Sequence, residues 1–216
     1  MKWCEAMDKH FAIFDMDGTL VDSMPLWRCL GREYLESKGI AEGLDGVLEE
    51  IETLTIHKSA ALFVDRFSLP ASPAQVAEEM NGIMDAHYST DIPLKPGVRE
   101  HLERLRQAGV RMCVASVAAQ HLMDTCLRRL GVRCYFEFLL SCEDMGTTSK
   151  REPAIYLEAA KLLGATPGEI AVYEDALYAI ETAKKANFHV VAVYDADAHG
   201  HWDQICRLAD ETITFH

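Results

Sequence analysis

From Val98 onward the chain alternates short apolar runs with longer segments of helical period, and that alternation leaves few folds open. Val98 to Gln107 has a helical pattern that ends at Gly109, and Val110 to Ala115 reads as a strand. Ala118 to Leu130 is a helix stopped by Gly131, Phe138 to Leu140 a strand, and Pro153 to Leu163 a helix. Glu169 to Tyr173, Ala176 to Ala186 and Val190 to Val193 continue as strand, helix and strand. The tail holds a short helix, Trp202 to Leu208, and a last edge strand, Glu211 to Thr214. Strands joined by crossover helices pair in parallel, so the expected fold is α/β: a Rossmann-like parallel sheet flanked by helices.

The first strand of that sheet lies far upstream. Phe11 to Phe14 is an apolar run that stops at two carboxylates, Asp15 and Asp17, followed by Gly18 and Thr19. Open parallel sheets bind ligands outside the carboxyl ends of their strands, so acids here are placed for chemistry or for holding a cation. Gly18 lets the chain turn away tightly. After Ser23 and Pro25 the pattern becomes helical: Leu26, Leu30, Tyr34 and Leu35 recur at helical spacing up to Gly39. Further helices follow from Gly46 to Ile51, Ile56 to Phe67 and Ala74 to Tyr88, the last introduced by Ser72 and Pro73. With no strand signal between Ser23 and Thr90, this block reads as an all-helical insertion, and Pro93, Pro96 and Gly97 mark the return. The expected organisation is a core from residues 1–22 and 92–216 with a helical domain from residues 23–91.

The stretch Asp15-Met-Asp-Gly-Thr-Leu-Val-Asp-Ser23 resembles the first signature of the haloacid dehalogenase superfamily, in the form used by its small-molecule phosphatases and phosphomutases. The resemblance implies that Asp15 is a nucleophile that becomes an aspartyl phosphate and that Asp17 is the general acid and base. A carboxylate attacks a phosphate dianion only if that charge is neutralised, so Mg²⁺ is expected beside Asp15. Taken alone, Asp15 is equally an acidic turn after a strand.

Three further elements of the family pattern can be sought at later strand ends. Ser116 closes Val110-Arg-Met-Cys-Val-Ala-Ser116, where its hydroxyl and the following backbone N–H groups, Val117 included, would hold phosphoryl oxygens. The bland reading of Ser116, compatible with that one, is an N-cap for the next helix. Ser149-Lys-Arg-Glu-Pro-Ala-Ile-Tyr156 matches the family lysine motif at Lys150, Pro153, Ile155 and Tyr156, with Arg151 in place of the usual proline and Ser149 in place of glycine. Lys150 would pair Asp15 with the incoming phosphate. A loop lysine is solvated by default, and Arg151 competes for the role. Ile170-Ala-Val-Tyr-Glu-Asp175 supplies the acidic pair: by resemblance Asp175 binds the metal directly, Glu174 assists through water or the lysine, and Asp15 and Asp17 complete the set. Ala176 and Ala179 stand where the family usually has Ser and Gly, and Asn187 where Ala-Gly is common.

In superfamily members with a helical cap inserted at this point, the cap selects the substrate. Trp27, His57, Lys58 and Arg66 are its candidate specificity residues; Trp27 is otherwise a core residue and the others solvated helix positions. The nearest groups in appearance are β-phosphoglucomutase and the sugar-phosphate phosphatases. A mutase has a histidine where this chain has Trp27, and its cap arginine falls on Ile56. The favoured reading is therefore a Mg²⁺-dependent phosphatase of a small phosphorylated metabolite, such as a sugar phosphate, with a phosphomutase as alternative. A phospho-acceptor receiver orders its acids differently and has no cap, and a catalytically silent phosphate-binding protein would be expected to have lost acids.

Composition narrows the partners. A formal net charge of -13 disfavours nucleic acid and anionic membrane, which call for a basic face, while leaving an anionic metabolite open. The seven cysteines, Cys4, Cys29, Cys113, Cys126, Cys134, Cys142 and Cys206, include no CxxC pair, which points to a reducing compartment, with Cys29, Cys113 and Cys126 read as buried thiols. Met1 to Lys9 shows no apolar leader. A cytoplasmic protein, monomeric or weakly dimeric, is expected.

Overall fold

The computed structural model describes residues 9–51, 54–147 and 149–216. Cys4 and nearly all of the polar N-terminal stretch therefore lie outside the described residues. The described chain forms two compact units: one runs up to Ser23 and resumes over Ile92–His216, and the other is Met24–Asp91.

The first unit is built on a six-stranded, all-parallel sheet of β1 (Phe11–Phe14), β2 (Arg111–Ser116), β3 (Leu139–Ser141), β4 (Ile170–Glu174), β5 (His189–Val193) and β6 (Glu211–Ile213). Its order is β3-β2-β1-β4-β5-β6. The chain builds outward from β1 on one side and then returns to build on the other, which makes β1/β4 the point where the order reverses and where such sheets open a crevice at their carboxyl ends. Helices α5 (Val98–Gln107), α6 (Gln120–Arg129), α7 (Ala154–Leu163), α8 (Leu177–Lys185) and α9 (Trp202–Leu208) connect the strands.

Both faces of the sheet are buried, which is why its strands read as continuous apolar runs. One face packs Ile13, Cys113, Val172 and Val190 against Tyr156 and Leu163 of α7, Ile180 of α8 and Ile205 of α9. The other carries an aromatic layer: Phe14 and Tyr173, register partners on β1 and β4, stack with ring centroids 4.2 Å apart, and His101 of α5 meets Tyr173 edge-on at 5.2 Å.

Several strands run one residue later than their apolar patterns suggest. The ladder continues into polar residues: Ser116 pairs with Ser141, and Glu174 with Ala192. Backbone pairing is indifferent to side-chain polarity, so polar residues just past the apolar runs are fixed members of the sheet. Asn187 takes the left-handed conformation that glycine would otherwise supply, with φ +65°.

The second unit holds α1 (Met24–Ser37), α2 (Asp45–Ile51), α3 (Ile56–Phe67) and α4 (Pro73–Thr90). Its core joins Leu30, Tyr34 and Leu35 of α1 to Ala60 and Phe63 of α3 and to Val76, Met80 and Met84 of α4. Ser72 begins α4 with a full capping box, accepting from the Gln75 backbone N–H while its own N–H reaches Gln75 Oε1 at 2.9 Å. Cys29 is exposed rather than buried, because the inward stripe of α1 runs through its neighbours Leu30 and Gly31. Cys113 and Cys126 are buried as expected. Among the described residues no helix is long and apolar enough to cross a membrane.

His101 supplies an acid-sensitive point in this core. It is 4% exposed, its Nδ1 faces the Arg104 guanidinium at 3.4 Å, and its Nε2 meets no partner among the described residues. Burial, aided by the Arg104 charge, pushes its pKa down to about 4. A depressed histidine binds its proton more readily in the unfolded chain, so its contribution is whole above the unfolded value of about 6.5 and is lost as pH falls toward 4. At roughly 1.4 kcal/mol per unit, the loss approaches about 3 kcal/mol. His101→Phe should flatten the fall in urea-unfolding stability between neutral and mildly acid pH, and equal acid sensitivity in the two proteins would refute the assignment.

Candidate active site

The carboxyl ends of β1 and β4 bring the acids together. Asp15 follows β1 directly and is held to the sheet by its own N–H donating to the Tyr173 carbonyl at 3.0 Å. The chain then folds back at once: the N–H groups of Leu20 and Val21 both donate to the Met16 carbonyl, at 2.8 and 3.0 Å. Gly18 makes this possible with φ +73°, and its missing side chain is filled by a neighbour, since a Cβ there would lie 2.4 Å from Asp175 Oδ2. Thr19 Oγ1 donates to Asp175 Oδ1 at 2.8 Å, tying the turn to the end of β4.

Lys150 stands at the centre. Its Nζ donates to Asp15 Oδ1 and to Glu174 Oε1, and it is 2% exposed, so the loop position that sequence leaves in solvent is in fact buried. Tyr156 OH adds a third bond, to Glu174 Oε1 at 2.7 Å. Arg151, the competing cation, is exposed and makes neither contact.

The electrostatics follow from three carboxylates sharing a buried place with one ammonium. Burial works against the charge on Lys150, but Asp15 and Glu174 outweigh it and hold its pKa above the ordinary lysine value. Burial, and next the charge of Asp15, pushes Glu174 up to about 7. Burial and the same negative neighbours raise Asp175 well above the usual carboxylate range. A second cation would relieve all of these. Asp15, Glu174 and Asp175 each offer an oxygen within 4.8 Å of the others, and Glu174 Oε2 is buried with no hydrogen-bond partner among the described residues. An oxygen-only donor set with an unsatisfied buried atom fits a hard divalent metal.

Asp17 is set apart from this group. Partly exposed, it accepts from Ser23 Oγ at 2.6 Å, and Ser23 is itself fully buried. Ser116 ends β2 beside β1 with 1% exposure, and Val117 after it is exposed. Ser116 is not the N-cap of α6; that position is Ala119, and Ser116 Oγ instead accepts from the Ala118 N–H at 3.2 Å, closing a tighter local turn. Trp27 is half-buried on α1, while His57 and Lys58 are exposed on α3, all within the helical unit. Arg66 pairs with Glu50 at 3.0 Å.

Sequence reading gave no role to Thr19, Ser23 and Tyr156, which fix Asp175, Asp17 and Glu174. Thr19 and Ser23 lie inside the signature stretch, so their polar character was the available signal; Tyr156 sits at the aromatic position of the lysine motif.

Residues 11–187 match the family described as haloacid dehalogenase-like hydrolase. The chain belongs to this family. Hexitol phosphatase B of Escherichia coli K12 is 30% identical over 205 residues, spanning 94% of this chain and 90% of that protein. A phosphorylated carbohydrates phosphatase of Thermotoga maritima is 32% identical over 180 residues, covering 81% and 80%. The crystal structure of a candidate β-phosphoglucomutase, also from Thermotoga maritima, shares the fold with a TM-score of 0.79 at 24% identity, over 95% of this chain and 94% of that one. The parallel sheet and inserted helical cap of this chain are thus those of the haloacid dehalogenase fold.

The Gly18 cradle is open to test. A divalent metal should raise the Tm of the native protein, and Gly18→Ala should abolish that rise, because the new methyl occupies the space of Asp175 Oδ2. Gly39→Ala, at φ +79° with nothing within 4 Å, should keep the metal response and lose about 1 kcal/mol of stability. An intact metal response in Gly18→Ala would show that the cradle is not needed.

Proposed function

We propose that this haloacid dehalogenase-like hydrolase is a Mg²⁺-dependent phosphatase of a small phosphorylated carbohydrate, working through an aspartyl phosphate on Asp15. The observation that carries the reading is the bridging of Asp15 and Glu174 by a buried Lys150, with Asp175 alongside, at the carboxyl ends of β1 and β4. The likeness to hexitol phosphatase B and to the Thermotoga phosphatase supports the substrate class.

Asp15 is the nucleophile. Lys150 fixes the orientation of its carboxylate and offsets part of the repulsion between it and an arriving dianion. Asp17, two residues on and directed by Ser23, protonates the leaving alcohol and then takes a proton from the water that hydrolyses the acyl phosphate. Ser116 and the Val117 backbone N–H hold phosphoryl oxygens. Asp15 and Asp175 would hold the metal directly, with Glu174 supporting them through Lys150. When bound, Mg²⁺ neutralises phosphoryl charge in the ground and transition states. The helical unit is the cap that carries selectivity for the leaving alcohol, with Trp27, His57 and Lys58 as the residues to vary.

Phosphate release from a panel of hexitol and sugar phosphates, with and without Mg²⁺, tests the reading. Native protein should release phosphate only with the metal, and Asp15→Asn should lose at least about 10³-fold in kcat while unfolding at a similar urea concentration. Glucose 6-phosphate formed from β-glucose 1-phosphate without net phosphate release would make the enzyme a mutase. Metal-independent release, or an active Asp15→Asn, would overturn the mechanism.

A further inference from the structure

One departure from the family pattern meets an aromatic ring that lies between two others. Arg151 stands where a proline is usual, and Tyr178 lies between Ala176 and Ala179, which replace the usual Ser and Gly. The Arg151 guanidinium carbon lies 5.0 Å from the centroid of the Tyr178 ring. The pair is also joined through the backbone: Thr182 Oγ1 lies 3.2 Å from the Arg151 carbonyl and 2.9 Å from that of Tyr178, a hydroxyl shared between the two. The guanidinium is therefore kept on the first turn of α8, three residues from Asp175 and adjacent in sequence to Lys150.

Its charge is uncommitted. Among the described residues no carboxylate pairs with Arg151, although the chain carries thirteen more formal negative charges than positive ones. Lys150, by contrast, is engaged by both Asp15 and Glu174. Tyr178 belongs to the same electrostatic neighbourhood: burial and then Glu174 push its phenol up to about 12, and Lys150, Asp15 and Asp175 also act on it. A dianion approaching this place meets three clustered carboxylates and a lysine already spent on them. A guanidinium stacked on Tyr178, one residue from Lys150, adds a positive charge that offsets that repulsion.

Building on the phosphatase reading, we infer that Arg151, held against the Tyr178 ring, is a specificity-determining residue that recruits the phosphate dianion to the site. It acts by charge before chemistry, so it bears on capture of the substrate and not on the barrier of phosphoryl transfer. Arg151 is exposed, and its replacement leaves no buried group unpaired.

The test is a charge series, Arg151→Lys, Arg151→Gln and Arg151→Glu, with Tyr178→Leu as a variant that frees the arginine while keeping its charge. Three quantities are read: calorimetric affinity for inorganic phosphate in the presence of Mg²⁺, and kcat and KM for p-nitrophenyl phosphate, each at low and high ionic strength. Affinity should be similar for Arg and Lys and fall through Gln to Glu, by about fivefold per unit of charge at low salt, with the gaps closing at high salt. KM should follow the same order while kcat stays within about twofold. Phosphate affinities indifferent to the charge at this position, or a falling kcat at constant KM, would overturn the inference. The two readings separate cleanly. Metal-dependent turnover that Asp15→Asn abolishes, with a flat charge series, leaves the phosphatase and removes the recruiting role. A graded phosphate affinity in a protein that releases no phosphate from any substrate leaves the recruiting role and removes the phosphatase.

Discussion

A single buried ammonium organises this molecule's working end. Lys150 comes from the segment before α7, yet it touches carboxylates that follow β1 and end β4, so three distant parts of the chain are fixed by one charge. A buried ion pair repays its desolvation only when its geometry is tight and its remaining polar atoms are met. Here Tyr156 meets part of that need, and Glu174 keeps one oxygen without a partner among the described residues. The arrangement is thus under-neutralised by design of its residues: it is stable enough to hold its shape and electrostatically receptive to one more cation.

The fold was legible because its strongest signals are periodic. Continuous apolar runs mark strands buried on both faces, helical spacing marks the segments between them, and the change of period after Ser23 marks the insertion. The candidate site residues Asp15, Ser116, Lys150 and Asp175 came from the family resemblance, and periodicity placed each of them after or at the end of a strand or before a helix. What stayed hidden depends on contacts across the chain. That Ser116 and Glu174 are themselves paired in the ladder was hidden, because side-chain polarity says nothing of backbone pairing. Cys29 looked buried because a helix alone does not say which of two adjacent positions faces inward. Local pattern alone leaves Lys150 in solvent, because its partners lie 135 and 24 residues away, and only the family motif pointed to its pairing with Asp15.

An acidic protein that handles an anion needs a division of labour among its positive charges. Much of the surface arginine is committed to neighbours: Arg111 to Glu137, Arg106 to Glu103, and Arg128 and Arg133 to Asp124. Such exposed pairs contribute little stability each, but they remove those cations from competition for a phosphate. The charges left to act on a substrate are then defined by position and not by abundance, which lets a chain of strongly negative balance still present a local welcome to a dianion.

The joint between the two units has a consequence of another kind. The outgoing and returning segments are stitched side by side: Val21 bridges Leu94 in antiparallel fashion, Asp22 N–H donates to the Pro93 carbonyl, and Lys95 N–H to the Leu20 carbonyl. Lys95 then anchors the returning strand through a buried pair with Asp195 at 2.7 Å. Because the two ends of the insertion meet at one fixed seam, the sheet is indifferent to what hangs between them. Helices may be lengthened, exchanged or rebuilt there without altering the register of any core strand. The seam makes the helical unit an interchangeable cassette, one that can be rebuilt while the acids and the lysine at the strand ends of the sheet stay where they are.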